Sequence, residues 1–356
     1  GRGAGGWAAE RLLLNAAAQE MWPEIKGFTR TVLKESVEAA IQARVPWFLS
    51  DLGFGRIQLG DAAVQLEQLA AERVDQASHR DGDVRDFKVT GKVVWDADVD
   101  VSLDAPIAAV SAEHVSVTGK LSVYLSQILP RPPFFTGLLF YFADPPEVAL
   151  RLSGRILGVQ LGLSWLEGVL ADVIRTQLGN QLALPNVASI PLDVNNAQAW
   201  FQVGGKTPDG ILTVRVRRAR DLAPRVAPMP FLPWRKEADP CCELSVGASS
   251  WRTPRKRDTL EPVWVGEEGA HSFVVHSLSE QSLRLKVFDD GRLLGARAVG
   301  LQELVLEGDV ELALQGEGAA GVLSLSTHWA ELVLDEEIAL AQARAQARAQ
   351  RAAARG

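Results

Sequence analysis

The sequence predicts an α+β domain followed by an all-β sandwich. Three features lead to this fold class: long stretches of alternating apolar and polar residues, helical periodicity on both sides of them, and short, regularly spaced strands after residue 210. The clearest alternation runs from Lys92 to Leu103. Because side chains alternate across a strand, it separates an apolar face of Val93, Trp95, Ala97, Val99, Val101 and Leu103 from a polar face of Asp96, Asp98, Asp100 and Ser102.

The first domain is expected to run in the order helix, long strands, helix. Apolar residues recur at spacings of three and four from about Ala8 to Glu38, and Pro23 is expected to kink this segment or to start a second helix. Strands are predicted from about Phe54, and Ser164–Leu184 returns to helical spacing. Two further alternating stretches place these residues on apolar faces: Val115, Val117, Gly119, Leu121, Val123 and Leu125, then Val148, Leu150 and Leu152.

The second half has the pattern of a β-sandwich. Its predicted strands are Ile211–Arg217, Glu243–Val246, His271–Val275, Ser282–Phe288, Val310–Leu314 and Val322–Thr327. We therefore place the two domains at 7–203 and 211–334, joined by a turn-rich linker at 204–210. Residues 335–356 form an Ala/Arg-rich, helix-favouring tail, which is either a frayed linker or a helix that contacts a partner or a membrane.

Composition excludes several classes of protein. The 356 residues are enough for about two domains, and a net charge of −7 argues against a nucleic-acid partner. The only cysteines, Cys241 and Cys242, exclude a disulfide-stapled scaffold, and as neighbours on a strand they point to opposite faces, so one is expected in the core. No apolar run reaches 18 residues, and a membrane anchor upstream of Gly1 is left open.

The sequence contains no convincing pattern of catalytic or metal-binding residues. The first six residues match G-x-G-x-x-G, but no strand precedes them. The aspartates of the Lys92–Leu103 stretch begin like an EF-hand loop, yet Val101 and Ile107 stand where the glycine and the bidentate glutamate are needed. The five histidines lack metal-ligand spacing. We therefore expect that the protein is not an enzyme and uses no metal or cofactor.

Short motifs in both halves resemble known families. In the first half, Trp22-Pro23, Phe140–Pro146 and Leu184-Pro185-Asn186 accompany the alternating strands, and this part resembles the synaptotagmin-like mitochondrial-lipid-binding (SMP) domain. The second half is similar to a C2 domain through Ile211–Val216, Ala219–Leu222, Asp239-Pro240, Thr259–Trp264 and Leu285–Asp289. The order of the two domains resembles that of the extended synaptotagmins, the yeast tricalbins and the plant synaptotagmins.

This resemblance implies a lipid-binding or lipid-transfer protein that tethers membranes at contact sites. The first half would form a tube that holds a phospholipid or other glycerolipid as cargo and pairs with a second SMP copy, identical or different. Its groove would be lined by Trp95, Val99, Val101, Val117, Leu121, Val123, Val148, Leu150 and Leu152. Because this lining is apolar, we expect little headgroup selectivity. The alternative is a structural or scaffold subunit that keeps the SMP–C2 architecture without lipid transport.

The C2-like half departs from its family at the calcium loops. Calcium needs six to eight oxygen ligands, which calcium-binding members supply from about five aspartates. Here the first loop, 223–238, is proline-rich and has no aspartate before Asp239. The later loop has only Asp289-Asp290 before Gly291, and it is expected to continue as a shortened loop, Arg292–Gly295. We therefore expect docking that does not depend on calcium.

A basic run in this otherwise acidic chain is the predicted docking surface. It comprises Arg252, Arg255, Lys256 and Arg257, with Phe231 and Trp234 of the long first loop as apolar contacts. Each basic residue near an anionic membrane contributes about 1 kcal/mol. An anionic membrane and an acidic protein partner both fit this pattern, and so does a solvated loop that binds nothing. The family implies endoplasmic reticulum contact sites that face the cytosol, with a plastid or another organelle membrane as the alternative.

Overall fold

The computed structural model describes residues 7–75, 85–128, 130, 132, 134–156, 163–192, 208–223, 238–316 and 319–332. They form two compact units that divide in sequence near residue 205. The first unit combines helices with one antiparallel sheet, and the second is a β-sandwich. The predicted fold class is therefore confirmed for both halves.

The N-terminal helix of the first unit, α1, spans Ala8–Val32 and is rich in alanine and leucine, which are strong helix formers. It continues through Pro23, so no second helix starts at that residue. Its geometry changes only after Val32, where one π-helical turn, Leu33–Val37, leads into α2, Glu38–Gln42. A 3-10 turn, Trp47–Leu49, then leads towards the sheet.

Seven strands form the sheet of the first unit. They are β1 Gly53–Gln58, β2 Gln65–Asp75, β3 Arg85–Ala105, β4 Ala108–Ile128, β5 Phe135–Phe142, β6 Glu147–Ile156 and β7 Ala188–Pro191. The 21-residue strands β3 and β4 pair along their length. The other edge of β3 is shared by β1 and β2, and the other edge of β4 by β5 and β6; β7 pairs with β5.

Irregular pairing bends this sheet around its apolar face. The β3–β4 register shifts between Asp98 and Val101, and the β1–β3 register shifts opposite the same part of β3. Such bulges increase strand twist, and here the sheet curls into a half-barrel. The concave face forms the core of the unit with α1, α2 and the helix α3, Ser164–Leu182, which packs against β6. The alternating burial of Ala97, Val99 and Val101 confirms the predicted inner face.

The polar face of β3 and β4 is held by charged side chains. His114 contacts Asp96 through Nε2 at 2.7 Å and Asp98 through Nδ1 at 3.0 Å. Asp100 pairs with Arg56 of β1 at 3.0 Å. The three aspartates that begin like an EF-hand loop are therefore cross-strand partners on the outside of the sheet.

The second unit consists of two four-stranded antiparallel sheets. One contains β9 Pro240–Val246, β10 Ser249–Arg252, β12 Ser282–Asp289 and β13 Arg292–Gly300; the other contains β8 Gly210–Arg220, β11 Ala270–Val275, β14 Asp309–Ala313 and β15 Val322–Glu331. A short helix, α4, Leu301–Glu307, links β13 to β14. Alternate residues of β8, β9 and β12 fill the space between the sheets, because each of these strands is buried on one face.

The structure of the second unit tests two expectations from the sequence: that one cysteine is buried and that a shortened loop follows Gly291. Cys242 is fully buried and Cys241 only partly, which confirms that one thiol lies in the core. The expected loop at Arg292–Gly295 is wrong, because these residues begin β13. The chain reverses within Asp290-Gly291, whose φ angles of 52° and 90° are those of a tight hairpin turn, so no longer loop is needed.

Replacing Leu244 by alanine is expected to lower the free energy of unfolding of the second unit by about 2–5 kcal/mol, since it removes a fully buried side chain from the centre of β9. Urea denaturation of the full chain, followed by circular dichroism, measures this loss. Leu306→Ala serves as the control, because Leu306 is 81% exposed and its truncation should change stability by less than about 0.5 kcal/mol. Equal effects of the two variants would contradict the assigned core.

Candidate functional site

The first unit contains an apolar cavity of about 260 Å³ between the concave face of its sheet and its helices. Strands β1, β3, β4 and β6 contribute one wall, and α1, α2, the π-helical turn and α3 contribute the other. The volume lies just below the range of roughly 300–1,000 Å³ that is usual for ligand pockets. Its size and apolar wall suit a single hydrocarbon chain.

Four residues of the predicted groove line this cavity, namely Trp95, Val101, Val117 and Leu150. They lie on β3, β4 and β6, and they project from the faces that the alternation predicted. The same strand wall also includes Val93, Leu103, Ala112 and Val115. Three of these, all but Ala112, are on the apolar faces recognised in the sequence.

The other five predicted groove residues lie elsewhere in the first unit. Val99 and Leu152 are buried in the surrounding core and are not part of the cavity wall described by the structure. Leu121, Val123 and Val148 are partly buried, and they also lie outside that wall. Leu121 and Val123 pair with β5 rather than with β6, so they belong to the other end of β4.

Sequence reasoning missed the helical wall of the cavity. Trp22, Ile25, Thr29 and Val32 of α1 recur at spacings of three and four and line the cavity together. The helical period was visible in the sequence, but its phase was not, because Leu12, Met21 and Phe28 of the same helix are exposed. From α3 the wall receives Leu170, Ile174, Gln177, Leu178 and Gln181.

Two tryptophans meet where α1 faces the sheet. The rings of Trp22 and Trp95 are 5.6 Å apart between centroids. Trp22 Nε1 donates a hydrogen bond to the carbonyl oxygen of Gly60 at 3.2 Å, and Trp95 Nε1 donates to that of Ala62 at 3.0 Å. Both indoles thus bury their apolar rings while satisfying their single donor, and they fix α1 against the β1–β2 connection.

The described wall of the cavity is mostly apolar and carries no charge. No charged side chain lies among the described residues that line it. Across the described ranges, no group of three or more His, Cys, Asp or Glu side chains is arranged to hold a metal ion. The helices that the structure describes include none long and apolar enough to cross a membrane. The cavity can therefore stabilise an apolar chain, but it offers no group for acid–base or metal chemistry.

In the second unit, Asp239, Asp289 and Asp290 each bond to another group of the protein through a carboxylate oxygen. Asp289 is 2% exposed, and its Oδ1 accepts a hydrogen bond from the Asp239 amide at 2.9 Å. Asp239 Oδ1 in turn accepts one from the Asp258 amide at 2.9 Å. Asp290 is paired with Arg255 at 2.7 Å. A protein cation therefore neutralises the Asp290 carboxylate.

Most of the predicted docking cations are also paired. Arg252 contacts Glu243 at 2.6 Å, Arg255 contacts Asp290 at 2.7 Å, and Lys256 contacts Glu268 at 2.7 Å. Within the described ranges, Arg257 is exposed and has no acidic partner at ion-pair distance. Phe231 and Trp234 lie outside the described residues. The basic run is thus a surface of alternating charge rather than a cluster of free cations.

Two family models match the chain in the order that the sequence predicted. The model for the synaptotagmin-like mitochondrial-lipid-binding domain covers residues 8–193, and that for the C2 domain covers residues 210–321. The first of these contains every described residue of the cavity wall.

Similar proteins show the same arrangement. Extended synaptotagmin-2-B of Xenopus laevis is 24% identical over 325 residues, which are 89% of this chain and 35% of that protein. Extended synaptotagmin-2 of Homo sapiens is 23% identical over 329 residues, which are 90% of this chain and 34% of that protein. The chain therefore spans about a third of the length of these relatives. A solved structure of extended synaptotagmin 2, which contains its SMP domain and two C2 domains, superposes with a TM-score of 0.53, at 19% identity, and covers 90% of this chain and 66% of that one.

The pairing of Lys256 with Glu268 predicts a measurable titration. The hydrogen bond from Lys256, joined by one from the Val265 amide, lowers the pKa of the Glu268 carboxyl below its ordinary 4.5. The stabilisation is therefore present above that ordinary pKa and is lost as pH falls through the lower folded pKa. NMR titration should give a midpoint below 4.5, and Lys256→Met should raise it. An unchanged midpoint in Lys256→Met would mean that this ion pair does not form in solution.

Proposed function

Because this chain belongs to the family of synaptotagmin-like mitochondrial-lipid-binding domains, we propose that it binds a glycerolipid in its first unit and carries it between membranes at contact sites. The cavity of about 260 Å³ between the sheet and the helices supports this proposal most directly. Each methylene that leaves water for such a cavity contributes about 0.8 kcal/mol. The protein carries the lipid without changing it chemically.

The lack of charged side chains on the described cavity wall supports a carrier with little headgroup selectivity. A charged headgroup is recognised by charged side chains, and the described cavity wall has none. The acyl chain then supplies most of the binding energy, while the headgroup stays in water. Lipids with different headgroups but similar chains should therefore bind with similar affinity.

A scaffold that had lost transport would fill the groove with bulky side chains that meet across it. Trp22 and Trp95 meet in this way at one place, with ring centroids 5.6 Å apart. The space that remains beside them still amounts to about 260 Å³. This remaining space favours the carrier over the scaffold.

The second unit is proposed to dock on an anionic membrane without calcium. Its Asp290 is neutralised by Arg255, and its Asp289 and Asp239 accept hydrogen bonds from the backbone. The Arg255–Asp290 pair is the most exposed of the three, with both side chains almost half exposed, and such ion pairs contribute only about 0–1 kcal/mol each. Lipid phosphates can therefore replace Asp290 at little cost.

The proposed setting follows from the family. We place the protein at endoplasmic reticulum contact sites that face the cytosol, with its first unit paired to a second SMP domain. No nucleic acid takes part, since the chain carries a net charge of −7.

Filling the cavity should stop lipid binding. Val117 lines the cavity, so Val117→Trp is expected to displace the acyl chain and reduce transfer between liposomes at least tenfold. Transfer of a fluorescent phospholipid and native mass spectrometry of the purified protein measure the two effects. Ser116→Trp is the matched control, because Ser116 precedes Val117 in β4 and its side chain points to the outer face of the sheet. Full lipid occupancy in Val117→Trp would place the lipid outside this cavity.

Changing single charges should test the docking surface without unfolding it. Glu268→Gln releases Lys256 and is expected to raise binding of the full chain to phosphatidylserine liposomes, whereas Arg257→Glu is expected to lower it. Added salt should weaken binding, because the Debye length falls to about 8 Å at 0.15 M. A calcium chelator should have no effect.

Arg11→Glu gives the same change in net charge on the exposed surface of α1 and serves as the control. Co-sedimentation provides the measurement. Calcium-stimulated binding, or equal binding by Arg257→Glu and the unchanged protein, would contradict docking through this surface.

A further inference from the structure

The cavity wall contains three polar residues, and all of them come from helices. Thr29 lies on α1, and Gln177 and Gln181 lie on α3. The described strand residues of the wall are all apolar. The polar residues of the wall are therefore confined to its helical side.

The two glutamines lie next to each other at the wall. They are four residues apart in α3, so they occupy the same face of the helix on successive turns. Their neighbours Ile174 and Leu178 line the cavity with them. Gln177 is half-buried and Gln181 is exposed, so the pair spans the change from the apolar interior to solvent.

Both amides have free hydrogen-bonding groups. Within the described part of the chain, neither Gln177 nor Gln181 has a hydrogen-bond partner, and Thr29 has none either. An amide carries two N–H donors and one acceptor oxygen, and in both residues these groups are available to a ligand. The glutamine pair can therefore bind an acceptor that enters with an apolar chain.

The lack of positive charge on the described cavity wall limits which kind of acceptor can bind there. A carboxylate at the mouth of an apolar cavity would need a cation to offset its desolvation, and no Lys or Arg lies among the described residues of the wall. An uncharged ester carbonyl needs only N–H donors. The wall therefore favours an ester-linked lipid over a free fatty acid.

We propose that Gln177 and Gln181 bind the ester linkage of the lipid, donating hydrogen bonds from their side-chain amides to its carbonyl oxygens while the acyl chain fills the cavity. This inference rests on the proposed function, since it requires that the cavity hold a lipid. It adds selectivity for the linkage between chain and headgroup. The two glutamines do not contact the headgroup in this proposal. Selectivity for the linkage is therefore independent of the low selectivity for the headgroup.

Ester and ether lipids with identical chains test the proposal. Dioleoylglycerol has two ester carbonyls, and dioleyl glycerol ether has the same chain length without them. The full chain is loaded from vesicles that contain equal amounts of both, and native mass spectrometry reports the bound ratio. The expected preference for the ester is roughly 3- to 10-fold, as one or two hydrogen bonds would give.

Three variants separate the role of the amides from general packing. Gln177→Leu combined with Gln181→Leu should abolish the ester preference while the ether lipid still binds. Gln181→Glu keeps the shape but removes the N–H donors, and it should weaken the preference. Asn180→Leu is the control, because Asn180 is exposed on the same turn and lies outside the cavity wall, so the preference should remain.

The possible outcomes distinguish the two proposals. If the unmodified protein retains neither lipid, the proposed function and this inference both fail. If it retains both lipids in equal amounts, or if the double leucine variant keeps the ester preference, the carrier function stands and the role of the glutamines is overturned. A preference that is lost in the double variant and kept in Asn180→Leu supports the inference.

Discussion

The burial of one apolar face of β3 and β4 against α1 and α3 is the interaction on which the first unit depends. The sheet curls because bulges increase its twist, and the helices then close over its concave side. This closure is incomplete, since about 260 Å³ remains between the layers. The wall of this space is almost wholly apolar, so an apolar chain that enters it leaves water.

Binding in this space would link lipid occupancy to folding stability. Each methylene that leaves water contributes about 0.8 kcal/mol, and a ligand that binds only the folded unit stabilises it. The wall is also asymmetric, because the strands supply only apolar side chains while the helices add Thr29, Gln177 and Gln181. A lipid in this cavity would meet hydrocarbon on one side and hydrogen-bond donors on the other. The polar end of the lipid would accordingly lie towards the helices.

The second unit illustrates how charges can be rearranged on the surface of a β-sandwich. Its core is filled by alternate residues of the strands, and the same alternation leaves the opposite faces for charged pairs such as Arg252 with Glu243. At the loop end, Arg255 is bonded to Asp290, and the ion pair neutralises that carboxylate within the protein. The other two pairs involve the less exposed carboxylates of Glu243 and Glu268.

The sequence by itself determined the fold class, the inner face of the long strands and the identity of the domains, because these depend on local periodicity and short motifs. Trp95, Val101, Val117 and Leu150 were predicted on such apolar strand faces, and they line the cavity. Their contact with a lipid stays a prediction. Only the tertiary structure decided where along the strands the cavity lies and which face of α1 closes it. The alternation within β4 does not show which part of that strand pairs with β6 and which part pairs with β5. The pairing of the basic run with Glu243, Asp290 and Glu268 was likewise hidden, since it depends on the strand register and on the loops of the assembled sandwich.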